Sequence, residues 1–66
     1  MPLAQLSIAE GRSPEQIREL IRSVTEAVST SLDAPAENVR VTVNEFPLTH
    51  WGSGVQTLAE KRSNTQ

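Results

Sequence analysis

One stretch limits what this chain can become. Ser13-Pro14-Glu15-Gln16 is a helix start: Ser13 can cap, Pro14 suits the first helical position, and Gln16 stands at the capping-box spacing. Ile17, Leu20, Ile21, Val24, Ala27, Val28, Ser31 and Leu32 then recur at helical steps and make one narrow apolar stripe. Arg18, Glu19, Arg22, Glu26 and Ser29 lie off it. Pro14–Leu32 predicts a rod of about 28 Å at about 1.5 Å per residue. Asp33-Ala34 makes the exit, and Pro35 cannot continue the helix. In a chain of 66 residues, such a helix leaves only short flanks to pack against.

Those flanks alternate with period two. Pro2, Ala4, Leu6 and Ile8 fall on one side of the first, and Leu3, Gln5, Ser7 and Ala9 on the other. Glu10-Gly11-Arg12 breaks the pattern. Val39, Val41 and Val43 alternate with Arg40, Thr42 and Asn44 in the second. A helix between two strands predicts a βαβ unit with parallel strands and a right-handed crossover, in the α+β class. After Phe46-Pro47 the alternation fails. His50-Trp51-Gly52-Ser53-Gly54 reads as a turn, Val55 to Leu58 as a short strand, and Ser63 to Gln66 as a frayed end. Residues 1–66 are read as one domain.

The unit is too small to be comfortable alone. A chain of this length buries only ~60% of the surface it exposes when unfolded. Sixteen Leu, Ile, Val and Phe residues support a folded core, but there is no cysteine to staple it. That absence also excludes a disulfide scaffold, a zinc finger and a cysteine nucleophile. One helix covers one sheet face, for which Val39, Val41 and Val43 are the natural partners. The opposite face, with Phe46, is left to water, and both sheet edges stay open. Self-association, by sheet-to-sheet stacking of protomers, is the expected remedy.

Charge narrows the partners. Six Lys and Arg against eight Asp and Glu give a net charge of −2, and no basic run occurs, which disfavours nucleic acid. No apolar run spans a membrane, and no signal-peptide pattern opens the chain, so the expected compartment is the cytoplasm. Five of the six cations are Arg, the better reader of carboxylates.

Most enzyme signatures are missing. His50 is the sole histidine, so metal catalysis lacks ligands and no metal site is expected. No serine sits in a nucleophile elbow, and Gly52-Ser53-Gly54 is too short for a phosphate loop. Pro2 remains. Met1 before a small residue is normally trimmed, which would free a secondary amine on a rigid ring. A generic α-amino group titrates near ~7.7–8.0, and nearby cations or an apolar pocket would lower that value toward a poised general base. Taken one at a time, the other residues read blandly. Arg12 is a solvated residue ahead of a helix, Arg40 a surface strand arginine, Trp51 an interface anchor, Glu10 a turn or ion-pair residue, and His50 structural or exposed.

Their order is more specific. Pro2-Leu3-Ala4-Gln5-Leu6, Glu10-Gly11-Arg12-Ser13, Leu32-Asp33-Ala34-Pro35, Val39-Arg40-Val41 and His50-Trp51-Gly52-Ser53-Gly54 follow one another along nearly the whole chain, from Pro2 to about Lys61. In this the sequence resembles the 4-oxalocrotonate tautomerase family of the tautomerase superfamily. The resemblance implies a βαβ protomer with a short C-terminal hairpin. It implies a homo-oligomer, a hexamer built as a trimer of dimers. It implies cofactor-free conversion of a dienol or enol acid resembling 2-hydroxymuconate to its keto form. Pro2 matches the family's general base, and Arg12 the arginine that binds a substrate carboxylate. Arg40 matches the arginine that meets the carboxylate and carbonyl at the other end, usually from a neighbouring subunit. Trp51 stands where most members carry Phe, and Ser53 where they often carry an apolar residue, which points toward altered specificity. The alternatives are a non-catalytic oligomeric binding or structural protein on the same fold, and a tautomerase acting on a different, biosynthetic enol.

Overall fold

The computed structural model describes residues 1–63. Its elements run β1 (Leu3–Ala9), α1 (Pro14–Leu32), β2 (Arg40–Phe46), β3 (Gly52–Ser53), β4 (Gln56–Thr57) and α2 (Leu58–Ser63). Single turns of 3-10 helix at Ala36–Asn38 and Leu48–His50 lead into β2 and β3.

β1 and β2 pair in parallel, from Leu3 opposite Arg40 to Ala9 opposite Phe46. Backbone bonds extend the ladder at both ends. Arg40 N–H donates to the Pro2 carbonyl and Glu10 N–H to the Phe46 carbonyl, each at 2.9 Å. The burial alternates as period two requires, with Pro2, Ala4, Leu6, Ile8, Val41 and Val43 half-buried. Val39, 8% exposed, is the one buried residue among those described. So little is enclosed because one helix lies over two strands.

α1 has the predicted bounds. Ser13 accepts from Gln16 N–H at 3.2 Å, and Gln16 Oε1 accepts from Ser13 N–H at 2.9 Å, so the capping box closes. Asp33 ends the helix in the left-handed region at φ 52. On the outer face Arg22 bridges Glu19 and Glu26, and its hydrogen bonds hold the Glu19 carboxyl below the usual carboxylate range. The apolar stripe is wider than the sheet beneath it. Ile17, Leu20, Val24 and Val28 are half-buried, whereas Ile21, Ala27, Ser31 and Leu32 are exposed. Ser29, assigned to the solvent side, is half-buried because its hydroxyl donates to the Ala34 carbonyl at the helix exit.

The C-terminal third corrects the sequence reading. His50 belongs to a 3-10 turn, Gly52–Ser53 is a strand, and the bend falls at Gly54 and Val55, between β3 and β4. Gly54 has φ 68, which suits it to the bend. The strand read over Val55 to Leu58 is only Gln56–Thr57, and Leu58 begins a helix. Thr57 and Glu60 explain it. Thr57 N–H donates to Glu60 Oε1 at 2.8 Å, and Glu60 N–H to Thr57 Oγ1 at 3.1 Å, a second capping box. Ser63, expected in a frayed end, closes α2 with its hydroxyl donating to the Ala59 carbonyl. The rest of that expected end, residues 64–66, lies outside the described residues.

Candidate active site

The four residues singled out by sequence fall at two ends of one sheet. Pro2 is half-buried just ahead of β1. Its carbonyl takes the Arg40 N–H, so the two residues stay together as long as the ladder holds. Arg40 pairs with Leu3, on the sheet face turned away from α1. Its Nη1 donates to the Glu37 carbonyl at 2.8 Å and to the Val39 carbonyl at 3.4 Å. That anchors one edge of the guanidinium and leaves its other N–H groups for a ligand.

Arg12 lies at the opposite end. Gly11, at φ 123, turns the chain there after β1, a conformation open chiefly to glycine. Arg12 is exposed and lines two hollows. One, of about 460 Å³, is walled by Pro14, Ile17, Ile21 and Arg18 of α1 and by Glu45 of β2. The other, of about 330 Å³, brings Arg62 of α2 to Arg12 beside Ile8 and Gly11. Trp51 stands at this end too. Its ring meets Phe46 edge to face, with centroids 6.2 Å apart and planes at 74°.

Seven ladder positions separate the ends, which is about 20 Å at ~3.3 Å per residue. The chain therefore brings Pro2 to Arg40 and Arg12 to the Trp51 end, and it does not bring Pro2 to Arg12. No small enol acid spans that distance, so these residues converge only if copies meet end to end.

Two features at the Arg12 end escaped the sequence reading. Arg62 shares a hollow with Arg12, and Lys61 Nζ donates to the Ser53 hydroxyl at 3.2 Å. Both depend on α2, whose signal was the Thr57-x-x-Glu60 spacing. Among the described residues, no group of three His, Cys, Asp or Glu side chains is placed to hold a metal ion, and no helix is long and apolar enough to cross a membrane.

A strand-helix-strand unit with a carboxyl-terminal hairpin, its cations at both sheet ends, is a small α+β protomer, and comparison with known proteins gives its class. A family model described as tautomerase enzyme matches residues 2–61. The chain belongs to the tautomerase family, in its 4-oxalocrotonate tautomerase group. It is 61% identical over 54 residues to a 2-hydroxymuconate tautomerase of Pseudomonas putida, covering 82% of this chain and 86% of that one. The crystal structure of TomN, a 4-oxalocrotonate tautomerase homologue in the tomaymycin biosynthetic pathway, superposes with a TM-score of 0.94 at 37% identity. It covers 98% of this chain and all of its own. A heterohexameric 4-oxalocrotonate tautomerase from Chloroflexus aurantiacus matches with a TM-score of 0.87 at 40% identity, over 91% of this chain and 97% of that one.

Proposed function

We propose that this isomerase converts 2-hydroxymuconate, or a close dienol diacid, to its keto form, with Pro2 as general base once Met1 is removed. The observation that carries the reading is the 61% identity to a 2-hydroxymuconate tautomerase, in a chain whose fold sets Pro2 and Arg40 at the same end of the sheet, joined by a backbone hydrogen bond.

The chemistry fits those residues. The neutral amine of Pro2 takes the proton of the 2-hydroxyl and returns a proton to a carbon of the diene, so one base near neutrality serves both steps and no cofactor is required. Negative charge gathers on the carbonyl oxygen of the dienolate between them. The Arg40 guanidinium stabilises that charge more than it stabilises the substrate, which is what lowers the barrier. A diacid needs a cation at its far end as well, and Arg12 offers a bidentate fork there. Trp51 of the copy that brings its Arg12 end supplies a flat apolar wall for the diene and favours the uncharged amine.

The assembly follows from the two ends. A homo-oligomer in which the Pro2 end of one copy meets the Arg12 end of another completes the site. A hexamer, as a trimer of dimers, does this while covering the outer sheet face. The hexameric assembly of the Chloroflexus relative supports it. We place the enzyme in the cytoplasm, with no nucleic-acid or membrane partner. The 37% identity to a homologue in a biosynthetic pathway, with Trp51 and Ser53 in the hairpin, supports a second reading: a different enol acid as the natural substrate.

The test is ketonisation of 2-hydroxymuconate followed by ultraviolet absorbance. Catalysis is expected from the Met1-free protein and its loss from Pro2→Ala. A Pro2→Ala enzyme of undiminished activity would overturn the proposed base.

A further inference from the structure

The hairpin carries a polar pair that the proposed chemistry does not use. Trp51 and Ser53 are two residues apart in extended chain, so their side chains leave the same side of the hairpin. Both are half-buried, and Gly52 between them is exposed. Whatever lies against Trp51 therefore lies close to Ser53. Lys61, one turn into α2, reaches across and donates Nζ–H to the Ser53 hydroxyl oxygen at 3.2 Å.

That bond sets the direction of the hydroxyl. With an ammonium donating to its oxygen, the serine turns its own proton outward, and the adjacent positive charge makes that proton a stronger donor. A site with an oriented O–H and a cation behind it suits an anionic oxygen. The next residue of α2, Arg62, lines the hollow of Arg12. One short helix thus ties Ser53 to the end of the sheet where Arg12 stands. A carboxylate has about four acceptor directions and a guanidinium fork fills only two, so a second donor has somewhere to bind.

We propose that Ser53, oriented by Lys61, is a further substrate-contacting residue that selects enol acids bearing a second carboxylate over monoacids. Lys61 is a positioning residue that acts through the hydroxyl. The inference rests on the proposed reading, since it needs Trp51 to line the site.

The test compares 2-hydroxymuconate with the monoacid 2-hydroxy-2,4-pentadienoate as substrates of the intact oligomer. Ser53→Ala is expected to lower the diacid-to-monoacid ratio of kcat/KM about tenfold, through KM of the diacid more than through kcat. Ser53→Thr, which keeps the hydroxyl, and Lys61→Arg, which keeps the donor, are expected to restore most of the ratio. Lys61→Met should mimic Ser53→Ala. Circular dichroism and oligomer mass show whether each variant has folded, and Lys61→Met carries the comparison if Ser53→Ala has not. An unchanged ratio in Ser53→Ala and Lys61→Met, with Trp51→Ala impaired on both substrates, overturns the role of Ser53 and leaves the proposed site standing. If Trp51→Ala is also unimpaired, the hairpin does not line the site and the roles of Ser53 and Trp51 fall together, whereas the proposed base falls only if Pro2→Ala keeps its activity.

Discussion

Arg40 donates its backbone N–H to the Pro2 carbonyl at 2.9 Å, which ties the proposed base to an arginine 38 positions later in the chain. A β-ladder bond of this kind holds the backbone of both residues. Arg40 is further tethered by its Nη1 to the Glu37 carbonyl. The backbones of the two residues are thus fixed side by side before any substrate arrives, while the Arg40 side chain leaves on the sheet face turned away from α1.

Loss of the base should be severe. Pro2→Ala keeps an amine but loses the ring that fixes its direction, and kcat/KM for 2-hydroxymuconate is expected to fall about 10²-fold or more. Mass spectrometry of the purified chain should show Met1 absent, since an amine tied up in a peptide bond cannot take a proton.

The pH dependence has a definite sign. The base works as the neutral amine, so kcat/KM should rise with pH and level off once the amine is uncharged. An unperturbed α-amine would level off only above pH ~8. In the proposed site Arg40 is a like charge and Trp51 of a second copy an apolar wall, and both disfavour the protonated form, so the plateau should begin lower. Arg40→Gln removes the like charge and should move the inflection upward, as read from the pH–rate profile.

Two damaged chains should repair each other. Pro2→Ala and Arg12→Gln spoil opposite ends of the sheet. If each site joins the ends of two copies, co-expression in equal amounts leaves about a quarter of the sites with both ends intact. Activity of the mixed oligomer well above that of either variant alone is the expected result. A site housed within one chain would give none.

The outer sheet face should govern assembly. Leu3 is 57% exposed and Phe46 40% exposed on the side away from α1. Leu3→Lys with Phe46→Asp should shift the oligomer toward smaller species and make the thermal midpoint depend on protein concentration, measured by ultracentrifugation and calorimetry.

Val39 tests the small core directly. Val39→Ala removes two methyl groups from the one buried side chain among the described residues, and should cost about 2 kcal/mol. Denaturant titration of the intact oligomer reads it.

Much of the architecture was legible before any coordinates. Ser13-Pro14-Glu15-Gln16 marked the start of α1, and the Val39-Val41-Val43 alternation marked the strand face turned to the helix, because capping and side-chain periodicity are local. The same rules, applied at Thr57-x-x-Glu60, would have found α2. What sequence could not rank was which stripe residues end up covered. Ile17 and Val24 are, Ile21 and Leu32 are not, since that depends on how wide a two-stranded sheet is rather than on the helix itself.

The sequence by itself determined the βαβ order and the parallel pairing, and it singled out Pro2, Arg12, Arg40 and Trp51 as candidates. The tertiary structure decided their grouping. Pro2 goes with Arg40 because a parallel ladder sets their strand starts side by side. Arg12 goes with Trp51 and the Ser53–Lys61 pair because the turn at Gly11 and the hairpin leave the sheet at its other end. A strand keeps its two ends apart, and no local signal in the chain says which end a later residue will join.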